Sequence, residues 1–167
     1  MTRCLISIGS NQNVPQNQIE RAFHRLGQIF EQVEMSDLYI TEPVGNVQQA
    51  TFLNAIVSLK TKSTPRQLLK QLLDIERLAG RNRNNEIPNG PRNLDLDIIL
   101  FGNEILETDS LVIPHPRFRE RRFVLAPMST IAPELIDPVS HKTITQLLLE
   151  CSDPNWVKPL KNELFAV

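Results

Sequence analysis

The chain has 167 residues, 41% of them hydrophobic and 22% charged, with a formal net charge of -1 at pH 7. That is enough chain for the core of one soluble domain, 1–167, and no apolar run is long enough for a signal peptide or a membrane-spanning helix. The charge gives no reason to expect nucleic acid or a membrane as a partner, and Cys4 and Cys151 have neither a disulfide-framework nor a zinc-ligand spacing, so the expectation is a cytoplasmic monomer with reduced thiols.

Residues 3–9 alternate, with Cys4, Ile6 and Ile8 on one side, then break at Gly9-Ser10-Asn11, which reads as a strand and a turn. Pro15 suits a first helical turn. Ile19, Ala22, Phe23, Leu26, Ile29 and Phe30 follow at three- and four-residue spacing, so an amphipathic helix is predicted over 15–30. Residues 32–41 read as a second strand ending in Tyr39-Ile40-Thr41, followed by a polar loop from Glu42 to Gln49. A third strand covers 51–61, with Leu53, Ala55, Val57 and Leu59 as its core face. Phe52 and Asn54 point the other way. An aromatic beside an amide can line a pocket for a flat ring, and the same pattern fits an ordinary face under a helix.

Thr64 as N-cap and Pro65 behind it start a second helix, whose buried stripe is Leu68, Leu69, Leu72, Leu73 and Ile75. Glu76 lies on that stripe, where a carboxylate without a partner is costly. It is expected either to make a structural ion pair with an arginine or to orient arginines that bind phosphate. The loop Gly80–Asn93 is long and polar, as lids are, and Arg81 and Arg83 alternate within it. In extended form they present two guanidinium forks to one polyphosphate; a solvated loop is the alternative.

From Leu94 the residues alternate again, so Leu94, Leu96, Ile98 and Leu100 share one face while Asp95, Asp97, Ile99 and Phe101 share the other. At ~3.3 Å per residue the two aspartates stand about 7 Å apart, spaced to flank one or two divalent cations. Asp is depleted in strands, although a solvated face explains the pair as readily. Ile99 and Phe101 continue the face as apolar residues, which places the aspartates at the mouth of a covered region. Arg92 precedes them across a Gly-Pro turn, either as an ion pair or as part of a magnesium and phosphate site.

Gly102-Asn103 reads as a two-residue turn into a strand at 104–106, hence a hairpin. Pro114-His115-Pro116 then holds a histidine in a rigid backbone, a pattern that by itself is structural more often than functional. Arg117, Arg119, Arg121 and Arg122 crowd the next stretch and lead through Phe123 into the apolar run Val124-Leu125-Ala126-Pro127, which suits a small polyanion. Thr143 to Gln146 is a capping box opening a last helix through Glu150. Residues 151–167, with the single tryptophan Trp156, carry no site signal.

Helices between strands and a hairpin predict an α+β sandwich with a mixed or mainly antiparallel sheet. Metal, phosphate and ring contacts together point to nucleotide-dependent phosphoryl chemistry, although neither a Walker loop nor the protein-kinase motif set is present. At this point the chain resembles the 6-hydroxymethyl-7,8-dihydropterin pyrophosphokinase family, over about 3–150. The resemblance rests on Gly9-Ser10-Asn11, Tyr39 to Gly45, Phe52-Leu53-Asn54, Gly80-Arg81-x-Arg83, Gly90-Pro91-Arg92-x-x-Asp95-x-Asp97-Ile98-Ile99 and Pro114-His115-Pro116-Arg117 with Arg121 and Phe123. Pro88-Asn89 departs from the basic and aromatic residues that many relatives carry there.

The resemblance implies a single-domain αβα sandwich, ferredoxin-like, with a mainly antiparallel sheet. It implies pyrophosphoryl transfer from ATP to the hydroxymethyl oxygen of the pterin, giving AMP, with two Mg2+ ions held by Asp95 and Asp97. By the same resemblance Arg83 and Arg92 join the aspartates as catalytic residues. Glu76, Arg81, Arg83, Arg92, Ile98, His115 and Arg121 would contact ATP, while Phe52 and Phe123 would sandwich the pterin. Asn54 would bond the pterin's edge, and backbone groups near Thr41 and Val44 would complete that pocket. A relative acting on another heterocyclic alcohol and a silent nucleotide-binding module are the alternatives.

Overall fold

In the computed structural model the described residues are 1–42, 50–80 and 92–160. Their elements are β1 (Thr2–Ser10), α1 (Pro15–Ile29), β2 (Glu31–Met35), β3 (Tyr39–Thr41), β4 (Phe52–Thr61) and α2 (Pro65–Leu78), then β5 (Asp95–Phe101), β6 (Leu106–Glu107), β7 (Val112–Ile113), α3 (Arg122–Ile131), α4 (Ile144–Glu150) and β8 (Val157–Pro159). Val44, Arg81, Arg83, Pro88 and Asn89 lie outside the described residues.

The sheet runs β5-β1-β4-β3-β8, with β2 also paired to β4, and every pairing is antiparallel. With α1 leaving β1 and α2 leaving β4, the arrangement is the ferredoxin-like one expected. Alternation along the central strands sends side chains to both faces, and helices cover each. Ile19 and Leu26 of α1 and Leu68 and Leu72 of α2 pack on Cys4, Ile6, Ile8, Val57 and Leu59. On the opposite face Val124, Leu125 and Met128 of α3 and Ile144 and Leu147 of α4 pack on Leu5, Ile56 and Ile99. Helix starts follow the local chemistry: Thr64 and Gln67 form a reciprocal capping box on α2, and Thr143 and Gln146 form another on α4.

Four features differ from the sequence reading. The strand expected over 32–41 is divided into β2 and β3, because Ser36 interrupts it. Its hydroxyl accepts the Ile56 N–H at 2.9 Å, and Met35 to Tyr39 holds one residue more than the facing Val57 to Asn54. Second, strict alternation fails in β5. Leu5 faces Leu100 while the next residue, Ile6, faces Ile98, so Ile99 is an extra residue. Beyond this bulge the faces exchange: Leu100 joins the α3 side and Phe101 the α1–α2 side, whereas Asp95, Asp97 and Ile99 stay together.

Third, the hairpin joins β6 to β7 rather than β5 to 104–106, because Thr108 closes a turn with Leu111 through both its backbone and its hydroxyl. Last, α3 forms despite Pro127 within it, and residues past Glu150 supply β8. Pro127 costs one helical hydrogen bond, which its burial in the apolar layer offsets.

A charged pair helps to hold the segment bearing the arginine cluster. Arg119 stacks on the Phe118 ring and donates from Nε and Nη2 to Asp137 at 2.5 and 2.8 Å. Burial alone would raise the Asp137 carboxyl, yet hydrogen bonds from Arg119, Ser140 and Val139 outweigh it and hold the pKa at about 2. The pair's stabilisation is therefore complete above the ordinary carboxylate range and is lost as pH falls through about 2. Asp137→Ala leaves the guanidinium without its buried partner, and a loss of about 3 kcal/mol is expected in urea unfolding at pH 7. A loss under about 1 kcal/mol would show that the pair is not what holds this segment.

Candidate active site

Asp95 and Asp97 project half-buried from β5, on the face that α3 covers further along at Ile99. Cross-strand register sets their neighbours. Asp97 lies opposite Ser7 and Asp95 opposite Gly9 on β1, and Gly9 lies opposite Asn54 on β4. Asp95 and Asn54 are therefore two strand spacings apart, about 10 Å, with a glycine between them. A Cβ at Gly9 would stand 2.5 Å from Asn54 Oδ1, so only a bare backbone lets that amide lie across β1.

Asn54 is oriented from its other side as well. Its Nδ2 donates to Thr41 Oγ1 at 2.7 Å, and both residues are buried. Thr41 thus contributes its hydroxyl to this wall, while its backbone sits in the ladders between β4 and β8. Phe52, half-buried, pairs with Thr41 and shares the face of Asn54. Phe123, at the start of α3, packs on the same layer, and the Arg121 guanidinium lies 5.5 Å from its ring centre. The structure therefore brings Phe52, Asn54, Thr41 and Phe123 to the face that carries the aspartates.

The opposite edge of β5 is supported from α2. Glu76 is 2% exposed, and its Oε2 accepts the main-chain N–H of Leu96, the residue between the two aspartates, at 2.8 Å. Among the described strands β5 stands at the end of the sheet, and there this carboxylate takes the place of a neighbouring strand. The Ile98 side chain is in the α1–α2 core, and strand alternation turns its main-chain groups to the same open edge as the Leu96 N–H.

Arg92 is placed through its backbone. Asn11, 7% exposed, accepts the Arg92 N–H on Oδ1 at 2.8 Å, donates its own N–H to the Arg92 carbonyl and gives Nδ2 to the Ala50 carbonyl at 3.0 Å. Gly9 and Asn11 were legible in the sequence as the break after β1 and as part of a family motif, without a role for either; their roles depend on partners far along the chain.

His115 donates its backbone N–H to the carbonyl of the bulged Ile99 at 2.9 Å, and its Nδ1 accepts from the Arg117 N–H at 3.1 Å. That bond leaves Nε2 to carry the proton of the neutral ring. Burial lowers the His115 pKa to about 4, helped by Arg121 and Arg117 and opposed by Asp95. Burial likewise lowers Arg121, against which Asp97 and Asp95 act. These mutual fields place His115 and Arg121 together beside the aspartates, with an N–H donor and a guanidinium available to an anion.

A family model described as 7,8-dihydro-6-hydroxymethylpterin-pyrophosphokinase (HPPK) matches residues 5–133. A 2-amino-4-hydroxy-6-hydroxymethyldihydropteridine pyrophosphokinase of Haemophilus influenzae is 36% identical over 160 residues, covering 95% of this chain and 98% of that one. One of the same name from Bacillus subtilis is 42% identical over 132 residues, covering 78% of each. Among solved structures, a Plasmodium falciparum HPPK-DHPS crystallised with SDX-DHP superposes with a TM-score of 0.69 at 17% identity. It matches 90% of this chain, which spans 43% of the longer one, and at that identity the likeness speaks for the fold.

In nucleotide-free protein His115 is expected to titrate near 4, with the proton on Nε2 at neutral pH, as read by imidazole NMR. Because the folded value lies below the ordinary 6.5, the ring's contribution to stability is complete above about 6.5 and is lost as pH falls toward 4. A midpoint at or above 6.5 would show that the ring is solvated.

Proposed function

The chain belongs to the 7,8-dihydro-6-hydroxymethylpterin-pyrophosphokinase family, and on that premise we propose how its residues carry the reaction. The protein is an enzyme of folate biosynthesis that transfers pyrophosphate from ATP to the hydroxymethyl group of 6-hydroxymethyl-7,8-dihydropterin, giving AMP and the pterin pyrophosphate. The observation that supports the assignment of residues best is the row Asp95, Gly9, Asn54 across three strands of one sheet. It sets a cation-binding pair and a ring-binding amide on a single face, roughly one small molecule apart.

The donor set at Asp95 and Asp97 fits magnesium: hard carboxylate oxygens on one face, with phosphates of the substrate as the remaining ligands. Two Mg2+ ions held there would neutralise charge on the ATP phosphates during transfer. The chain's own groups do the positioning. Arg92, His115 through Nε2–H, and Arg121 donate to phosphate oxygens from the rim of the aspartate pair, and Arg81 and Arg83 join them. Glu76 supports the ATP side by holding β5 straight at Leu96, and the Ile98 backbone offers hydrogen bonds to the adenine from the open edge.

On the other side Phe52 and Phe123 stack on the pterin while Asn54, oriented by Thr41, bonds its polar edge, and the family resemblance assigns backbone groups near Val44, outside the described residues, to the same pocket. The hydroxymethyl oxygen then points at the aspartates, in line with the β-phosphorus. No helix among the described residues is long and apolar enough to cross a membrane. We also read the enzyme as cytoplasmic, in keeping with its free cysteines Cys4 and Cys151.

Incubation with MgATP and the hydroxymethyl pterin should yield AMP and pterin pyrophosphate. Asp97→Ala is expected to lower kcat by at least about 100-fold with the far-UV circular dichroism unchanged, and wild-type AMP formation by it would overturn the metal assignment. Gly9→Ala puts a methyl group where the Asn54 amide lies. It should raise the KM for pterin about tenfold, the order of one lost hydrogen bond, with the KM for ATP unmoved. An unchanged pterin KM would remove Asn54 from the pocket.

A further inference from the structure

We propose that Asp153, in the segment following α4, is a positioning residue for the pterin site, acting through the start of α3. The inference rests on the reading that Phe123 is a wall of that site. α3 begins without a cap of its own: Arg121 stands at the N-cap position and makes no side-chain capping bond. The first orphan N–H, that of Arg122, is taken instead by Asp153 Oδ2 at 3.0 Å. A carboxylate at that place also faces the positive end of the helix.

The grip is mutual. Arg122 returns its guanidinium to the same segment, with Nη2 on the Cys151 carbonyl at 2.8 Å and Nε on the Asp153 carbonyl at 3.3 Å. The other oxygen of Asp153 accepts from the Asn155 backbone and side chain at 3.0 and 2.9 Å, so the carboxylate has one orientation.

The same segment then runs along the opposite wall. Glu42 gives its N–H to the Trp156 carbonyl, and the Trp156 N–H returns to the Glu42 carboxylate, both at 3.2 Å. β8 follows as a strand beside β3, with Val157 opposite Thr41, and Leu160 bonds the Leu38 carbonyl at 2.8 Å. Within about ten residues one piece of chain is tied to the helix whose first turn carries Phe123 and to the strand whose Thr41 orients Asn54. The spacing between the ring's two walls therefore depends on this strap. The ATP side depends on it less: Arg92 is held by Asn11, His115 by Ile99, and Arg121, though next to Arg122, by its own N–H bond to the Phe118 carbonyl.

The test is steady-state kinetics with each substrate varied in turn, alongside thermal unfolding. Asp153→Ala should raise the KM for pterin about fivefold, the order of one lost helix cap, with kcat and the KM for ATP within about twofold of wild type. Asp153→Asn keeps an acceptor oxygen for the Arg122 N–H and should restore the pterin KM. Should Asp153→Ala fail to fold, Arg122→Gln decides by the same split, since it loosens the strap from the helix side while the cap remains. Equal rises in both KM values with a fall in Tm, or no change in either, would overturn the proposal. Phe123→Ala separates this inference from its premise. If that variant raises the pterin KM and the Asp153 and Arg122 variants do not, the strap is refuted alone; if none of them moves it, the pterin wall is refuted as well.

Discussion

Two like charges on neighbouring same-face positions of an end strand would, left alone, drive that strand out of register, and the bond from Leu96 N–H to Glu76 opposes this. One edge of β5 is zipped to β1; among the described residues no strand lies beside the other. A buried carboxylate accepting the amide between Asp95 and Asp97 substitutes for the missing neighbour at the point where repulsion is greatest. Burying that charge costs several kcal/mol unless it is well paired. The rigidity it confers is what a site that works by positioning needs, because a misplacement of about 1 Å can cost a hundredfold in rate.

The rest of the site is laid out from that strand across the sheet. Strand spacing places Asp95 and Asn54, the two ends of the proposed site, at a separation set by backbone hydrogen bonding alone. Gly9 keeps the ground between them open, and the bulge at Ile99 turns a carbonyl toward His115 while restoring an apolar surface under α3. Each wall is then clamped by a side chain from elsewhere in the chain: Asn11 on the backbone of Arg92 and Ala50, Arg119 on the Asp137 carboxylate, Arg122 on the carbonyls of the segment after α4. Two of these clamps, Arg119 and Arg122, come from one arginine cluster. Its members therefore divide between holding the fold (Arg119, Arg122) and facing the aspartates (Arg121), a division that composition could not show.

Sequence reasoning reached the aspartate face, the capped helices and the shared face of Phe52 and Asn54, because each is written in a few consecutive residues. It placed Phe101 with the aspartates and extended a strand through Ser36, because alternation carries no mark of where an extra residue enters a ladder. It passed over α3, since Pro127 interrupts the helical signal, and over β8, since three residues with Pro159 have little strand character until β3 offers an edge. Glu76 was expected beside an arginine; sequence reasoning did not foresee that its carboxylate also accepts a backbone amide, a donor that every residue but proline carries and that no pattern singles out.

What the sequence determined by itself, then, was local: the two capping boxes, the helical stripes, and a common face for Asp95 and Asp97. The family motifs, carried in short runs, pointed to the chemistry as well. Tertiary structure decided which runs meet. Asn54 finds Thr41 across 13 residues, Leu96 finds Glu76 across 20, and Arg122 finds Asp153 across 31. Contacts of that range are fixed by strand register and layer packing, which are cooperative properties of the whole sheet. A periodicity measured within one turn or one strand contains no information about them.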